Sequence, residues 1–66
     1  MTVIVNGEKK SFKEGTTLGR MIESLGIADK VMAAAVNMEV VKKEKWETYR
    51  PKEGDKIELL HFVGGG

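Results

Sequence analysis

Residues 17–26 read Thr-Leu-Gly-Arg-Met-Ile-Glu-Ser-Leu-Gly and predict the helix from which the fold can be worked out. Thr17 suits the N-cap, because its hydroxyl can accept a hydrogen bond from a backbone N–H of the first turn. Four apolar residues then fall at i, i+3, i+4 and i+7 and form one stripe, namely Leu18, Met21, Ile22 and Leu25. Gly26 can adopt the left-handed conformation that ends a helix. A helix with one apolar stripe needs a second apolar surface to cover it.

The segment before the helix predicts a β-hairpin. Residues 1–6 are rich in β-branched and apolar side chains, which favour a strand. Asn6-Gly7 is a pair that type I′ turns prefer, because both central residues of that turn need a positive φ. Glu8–Phe12 is then the returning, more polar strand.

The segment after the helix predicts three further strands. Val31–Val36 is continuously apolar and indicates a buried strand, Val40-Val41 a brief edge strand, and Lys56–Val63 the last strand. Positions 33–36 hold only Ala and Val, so we expect the helix to pack closely over this strand. Gly19 in the helix interior costs about 0.5–1 kcal/mol relative to Ala. Close approach of another backbone is one explanation for it.

These elements predict an α+β fold in which one main helix packs on one face of a mixed sheet of four to five strands. No repeat or linker interrupts the chain before its last glycines. We therefore expect one domain over residues 1–63 and a flexible glycine tail over residues 64–66. The alternative for the tail is a frayed end or a cloning remnant without a role.

The chain has few of the groups that an independent enzyme needs. With 66 residues, it buries only about 60% of the surface of its unfolded form, which leaves little apolar area to enclose a pocket. It has no cysteine and one histidine, His61, with no carboxylates at ligand spacing around it. We expect no catalytic residue, no metal and no bound cofactor.

Charge and hydropathy argue against two classes of partner. Eleven basic and ten acidic residues give a formal net charge of +1, too small for a strong field that attracts nucleic acid. Lys42, Lys43 and Lys45 form a basic cluster, but acidic residues interleave with it, so a solvated loop is favoured over a nucleic-acid site. No apolar run reaches membrane-spanning length, and no signal peptide is recognisable. We expect a cytoplasmic protein with no nucleic-acid or membrane partner.

Two residues between the predicted strands each allow two interpretations. Trp46 is interpreted as a packing anchor for an irregular segment rather than as a residue that stacks on a ligand. Asn37 is interpreted as a residue that fixes a turn through its side chain rather than as a ligand-binding group.

The last strand places its apolar residues on two faces. Ile57 and Leu59 have one parity, and Leu60 and Phe62 have the other. If the first pair faces the helix, the second pair lies on the open side of the sheet, where Ile4 would join it. We therefore predict a partner-binding patch of Ile4, Leu60 and Phe62 beside the tail. The alternative is that Leu60 and Phe62 are core residues of a sheet covered on both faces.

A series of short motifs runs through the chain. They are Asn6 after the first strand, the helix start at Thr17, Ala35-Val36-Asn37, Val40-Val41, Trp46, Gly54-Asp55, Ile57–Leu60 and the terminal Gly65-Gly66. In this order, and over essentially the whole chain, they resemble the β-grasp sulfur carrier proteins and the ThiS family of thiamine biosynthesis in particular. Two departures are Lys42-Lys43, where the family often has Pro-Arg, and Gly64, where another small residue is usual.

The resemblance implies a ubiquitin-like β-grasp fold and a protein cosubstrate rather than an enzyme. An E1-like, ThiF-like adenylyltransferase would use ATP and magnesium to convert the Gly66 carboxylate to an acyl-adenylate. Gly64 and Gly65 would thread into the active site of that partner. A sulfur donor protein would then displace AMP to leave a thiocarboxylate. The sulfur would pass to a ThiG-like thiazole synthase for thiamine.

Several other functions would use the same fold. Related carriers serve molybdopterin, tRNA thiolation or a sulfur amino acid, although the short length and the Trp46 region favour thiazole. A ubiquitin-like protein modifier would join the activated Gly66 to a lysine of its target. A plain interaction domain would have the fold but no use for the tail.

Overall fold

Five strands and one α-helix form within residues 1–61, the part of the chain that the computed structural model describes. The elements are β1 (Thr2–Val5), β2 (Glu8–Ser11), α1 (Leu18–Ser24), β3 (Val31–Val36), β4 (Glu39–Val41) and β5 (Lys56–His61), with a 3-10 turn at Lys43–Lys45. The sheet order is β2-β1-β5-β3-β4, with β1 and β5 parallel and the other neighbours antiparallel. The predicted α+β fold with one helix and a mixed sheet is confirmed.

Helix α1 begins and ends where the sequence predicts. The Thr17 hydroxyl accepts a hydrogen bond from the Arg20 N–H at 3.2 Å, which satisfies one of the free donors of the first turn. Leu18, Met21 and Ile22 are almost completely buried. Gly26 follows with a φ of +74°, which a residue without a Cβ adopts at no steric cost.

The apolar stripe of α1 packs against one face of the sheet. The buried side chains of this core are Val3, Val5, Leu18, Met21, Ile22, Val31, Ala34, Val36, Val41, Trp46, Ile57 and Leu59. Ile57 and Leu59 of β5 are therefore the core-facing pair, as their parity predicts, and Leu60 lies on the opposite face.

Gly19 marks the closest approach between α1 and the irregular segment after β4. Its N–H donates to the Trp46 carbonyl oxygen at 2.8 Å, and the Leu18 N–H donates to the Tyr49 carbonyl oxygen at 2.7 Å. A Cβ on Gly19 would lie 3.3 Å from the Trp46 oxygen and 3.1 Å from Oε1 of Glu47. Close approach of a second backbone therefore explains this glycine.

Trp46 is a packing anchor, which confirms the favoured interpretation. The residue is 6% exposed, and its Nε1–H donates to the Val41 carbonyl oxygen at 2.8 Å. The Lys43 ammonium lies 5.9 Å from the ring centroid, within the range of a cation–π contact. The indole is thus fully engaged by the chain itself.

Helix α1 packs over β3 as expected, but only two of the four small residues at positions 33–36 lie under it. Ala34 and Val36 are buried under the helix, whereas Ala33 and Ala35 are half-buried on the other face of the sheet. The reason is the period of two in a strand, which sends successive side chains to opposite faces however uniform the sequence.

Asn37 fixes the turn between β3 and β4, again as interpreted. Its Nδ2–H donates to Oδ1 of Asp55 at 3.0 Å, and its Oδ1 accepts from the Lys56 N–H at 3.0 Å. These bonds attach the turn to the start of β5. Asn37 and Met38 both have a positive φ, at +51° and +72°, which is the pattern of a type I′ turn.

Met38→Gly is expected to raise the free energy of unfolding by about 1 kcal/mol, because the left-handed conformation costs a side-chain-bearing residue about 1–2 kcal/mol and costs glycine almost nothing. The Met38 side chain is 90% exposed, so little packing is lost. Thermal unfolding of the two proteins measures the gain. Met38→Ala is the matched control, since it removes the same side chain but keeps the Cβ. An equal gain in the alanine variant would contradict the conformational explanation.

Candidate partner-binding face

The face of the sheet opposite α1 is not covered by any element within residues 1–61, and we call it the open face. Its side chains come from all five strands and are Ile4, Lys9, Ala33, Ala35, Val40, Lys56, Glu58 and Leu60. Cross-strand partners share a face, so the register places these residues in rows. One row is Lys9, Ile4 and Lys56, and another is Val40, Ala35 and Glu58.

An apolar groove crosses the open face between β4 and β5. Val40 and Leu60 form its two walls and are 75% and 62% exposed. Ala33 and Ala35 form the floor, and their short side chains leave a concavity of about 310 Å³ between the walls. Two protruding aliphatic side chains around a floor of alanines make a surface that fits an apolar side chain of a partner.

The predicted patch residues do not all lie together. Leu60 pairs with Ala33, whereas Ile4 pairs with Lys56, four positions earlier on β5. At about 3.3 Å per residue, Ile4 and Leu60 are separated by about 13 Å along the open face. Ile4 lines a second concavity, of about 430 Å³, together with Met38 and Lys56. Phe62 and Gly64–Gly66 lie outside the described residues.

Sequence reasoning missed the residues that shape the groove. Ala33, Ala35 and Val40 were interpreted only as strand formers, yet they provide its floor and one wall. These residues are identified only by the pairing of Ala35 with both Val40 and Glu58 in the folded sheet. Register depends on contacts between segments far apart in sequence, so the pattern of one segment does not contain it.

Charge divides the open face into two ends. Lys9 and Lys56 flank Ile4 at the end where β5 begins, and both are exposed. The groove, which is bordered by Glu58 and Asn6, occupies the end where β5 finishes. The open face therefore offers cations at one end and apolar contact at the other, next to the point at which the chain leaves β5.

The Asn6 side chain forms hydrogen bonds to the backbone of β5 near the C-terminal end of that strand. Its backbone N–H donates to the Ile57 carbonyl oxygen at 2.9 Å. Its side-chain Oδ1 accepts from the Leu59 N–H at 2.8 Å, and its Nδ2–H donates to the Leu59 carbonyl oxygen at 3.4 Å. Strand β1 has already ended at Val5. The amide side chain thus makes the hydrogen bonds to Leu59 that the backbone of a longer β1 would have made.

Within residues 1–61, no group of three or more His, Cys, Asp or Glu side chains is placed to hold a metal ion. In the same part of the chain, no helix has the length and apolar character to cross a bilayer. The features that remain to interpret are the open face and the strand that leads to the glycines.

Comparison with known proteins decides the family. The sequence profile of the ThiS family matches residues 3–66, which is nearly the whole chain. The chain belongs to the ThiS family. The crystal structure of a thiamine biosynthesis protein, ThiS, from Geobacter metallireducens superposes with a TM-score of 0.80 at 30% sequence identity and covers 100% of both chains. The five-stranded sheet with one helix is therefore the β-grasp fold of this family.

Two relatives illustrate the range of proteins that contain this domain. The ThiS-family chain is 32% identical over 63 residues to the sulfur carrier protein ThiS of Bacillus subtilis, covering 94% of this chain and 96% of the relative. It is also 32% identical over 66 residues to a thiazole synthase of Paramagnetospirillum magneticum. That alignment covers 100% of this chain and 20% of the synthase, so the chain spans about one fifth of the length of that relative.

Proposed function

We propose that this ThiS-family chain is a sulfur carrier, a protein cosubstrate on which other enzymes act. The carboxylate of Gly66 is adenylated by an E1-like enzyme and converted to a thiocarboxylate that donates its sulfur. The observation that carries the proposal is the family match, which extends through Gly64 and Gly65 to Gly66. The likeness to a sulfur carrier protein over nearly the full length of both chains supports it.

Adenylation overcomes the poor reactivity of a carboxylate. The negative charge of the Gly66 carboxylate repels nucleophiles, and oxide is a poor leaving group. Attack of a carboxylate oxygen on the α-phosphorus of ATP releases pyrophosphate and gives the acyl-adenylate, with magnesium supplied by the partner. A persulfide sulfur then bonds to the carbonyl carbon as AMP leaves. Cleavage of the S–S bond by a thiol releases the thiocarboxylate.

Three glycines suit a segment that must enter the active site of another protein. Without side chains they pass through a narrow channel, and they accept backbone angles that other residues avoid. Ordering them costs about 1–2 kcal/mol per residue. Binding energy from elsewhere on the domain must offset this cost, and the open face is the surface that can provide it.

The open face also limits where the nucleotide site of the partner can lie and which side chains the partner presents to the carrier. Gly66 follows Leu60 by six residues, and an extended chain spans at most about 3.3–3.6 Å per residue. The nucleotide site of the partner then lies within about 20 Å of the groove wall that Leu60 forms. The partner should offer an apolar side chain to the groove, and carboxylates opposite Lys9 and Lys56.

We assign the sulfur to thiazole formation for thiamine. The similarity of the whole chain to about one fifth of a protein named thiazole synthase supports this destination. The E1-like and sulfur donor partners follow from the chemistry. The carrier itself needs no bound cofactor for any of these steps.

Intact-mass measurement tests the proposal. The chain ending at Gly66 is incubated with ATP, magnesium, an E1-like ThiF-type enzyme and a persulfide sulfur source with a thiol. The expected product has one oxygen replaced by sulfur at the terminus, and omission of ATP prevents its formation. Bacillus subtilis ThiS in the same mixture is the positive control.

The outcomes separate the possible functions. An unchanged mass for this chain, beside conversion of the control, would exclude the carrier. Bands of higher mass on a denaturing gel, joined through Gly66 to lysines of other proteins, would indicate a protein modifier instead. Addition of a ThiG-type thiazole synthase with its substrates should return the carrier to the carboxylate form.

A further inference from the structure

We propose that Asn6 is a positioning residue, which holds the C-terminal end of β5 and so fixes the point from which the tail starts. The inference rests on the proposed function, because the starting point of the tail matters only if Gly66 must reach a partner's active site. Asn6 acts through Leu59 and does not touch the reacting carboxylate. Its role differs from that of a turn residue, which the Asn6-Gly7 motif alone would assign to it.

Backbone hydrogen bonds join β1 and the residue after it to β5 as far as Ile57. The Ile4 N–H donates to the Asp55 carbonyl oxygen at 2.9 Å, and the Asn6 N–H donates to the Ile57 carbonyl oxygen at 2.9 Å. The next residue of the same parity on β5 is Leu59, and the backbone of β1 has no residue left to meet it. The Asn6 side chain supplies both an acceptor and a donor there, so Leu59 is held on the β1 side.

The other neighbour of β5 is β3, and its pairing with the C-terminal end of β5 is irregular. Strand β3 pairs with β5 in regular register from Val36 to Ala33, but the register shifts between Val31 and Ala33. The extra residue of this bulge faces the last residues of β5, and bulged pairs are locally disrupted. The end of β5 therefore has an irregular neighbour on one side and the Asn6 amide on the other.

Two consequences follow for the chain beyond Leu59. Leu60 forms a wall of the apolar groove, so the hold on Leu59 also fixes the groove. The segment after His61 begins at the end of this strand, so the hold on Leu59 fixes the point at which that segment starts. A looser strand would still dock through the open face but would deliver Gly66 less often in the productive geometry.

Two variants separate the side-chain bonds from the turn. Asn6→Gly keeps the turn, because glycine accepts the φ of +48° that Asn6 has and Gly-Gly is compatible with a type I′ turn. It removes both bonds to Leu59. Asn6→Asp keeps an acceptor for the Leu59 N–H and also tolerates the left-handed conformation, so it is the conservative variant expected to rescue function.

Amide hydrogen exchange and steady-state adenylation are measured on the same proteins. In Asn6→Gly, exchange of the Leu59 N–H should accelerate about tenfold, as expected for loss of one hydrogen bond. The Ile4 N–H, which belongs to the same ladder but not to Asn6, is the internal control and should change little. The kcat of adenylation should fall about tenfold, and KM should rise by a smaller factor, because Leu60 stays on the open face while Asn6 borders the groove. Asn6→Asp should retain most of the protection and of the kcat.

Three results would overturn the inference. Unchanged exchange at Leu59 in Asn6→Gly would show that the amide does not hold the strand. Equal acceleration at Leu59 and Ile4 would show general destabilisation instead of a local hold. Faster exchange at Leu59 with an unchanged kcat would show that the hold does not position the tail. A wild-type chain that is never adenylated would contradict the proposed function. The exchange data would still decide whether Asn6 holds β5.

Discussion

Removal of Gly65 and Gly66 is expected to abolish adenylation of the chain by its E1-like partner while leaving the domain folded. The shortened tail ends about 7 Å earlier, at about 3.3–3.6 Å per residue, so its carboxylate no longer reaches the α-phosphorus of ATP. A near-attack distance of about 3–3.5 Å is needed for reaction, and a displacement of even 1 Å can cost about a hundredfold in rate. ATP–pyrophosphate exchange in the presence of the partner measures the loss.

Two controls give this result its meaning. Thermal unfolding of the truncated chain should match that of the full chain, because the deletion removes no residue of the core described within residues 1–61. Binding of the truncated chain to the partner should persist, because the open face is intact. A chain extended by one alanine after Gly66 should also fail unless the alanine is trimmed. Pyrophosphate exchange by the truncated chain at the full rate would refute the role of Gly66 and favour a plain interaction domain.

Leu60→Glu is expected to lower kcat/KM for adenylation by about tenfold to a hundredfold, mainly by raising KM. Leu60 is 62% exposed and walls the apolar groove, so the variant keeps the core but places a charge where the partner must remove water. Loss of an interface anchor costs about 2 kcal/mol or more, and about 1.4 kcal/mol corresponds to a factor of ten. Kinetics at varied concentrations of the carrier give kcat and KM separately.

Met32→Glu is the matched control for this variant. Met32 is 64% exposed, almost the same as Leu60, but it does not line the groove. The same substitution there changes charge and surface hydropathy equally and should leave kcat/KM within about twofold, as for surface changes outside a binding site. Equal losses in both variants would mean that the effect is one of net charge and that the groove is not the docking surface.

Most of the fold could be predicted because it depends on local patterns. The stripe from Leu18 to Leu25, the cap at Thr17 and the turn at Asn6-Gly7 each follow from a few neighbouring residues and the period of their element. The close backbone approach at Gly19 and the packing role of Trp46 were also interpreted correctly. The sequence did not say which backbone approaches Gly19, because the Trp46 carbonyl comes from a segment 27 residues away in the chain.

The candidate site was predicted less completely. Parity on β5 places Ile57 and Leu59 in the core and Leu60 outside, so one wall of the groove was foreseen. Whether the patch of Ile4, Leu60 and Phe62 binds a partner stays a prediction. The pairing of Ile4 with Lys56, far from Leu60 along β5, and the alanine floor beside Val40 depend on register. Parity gives the face of a residue but not its neighbour across the strands.

The residue pattern alone was enough to predict the elements, their order, the burial of one helical stripe and the family that its motifs resemble. These features depend on side-chain spacing and backbone preference, which act over a few residues. The folded structure was needed to show which alanines lie under the helix, which side chains form the groove and how Asn6 reaches Leu59. Those contacts join segments up to 53 residues apart, and their geometry is set when the whole sheet assembles around one core.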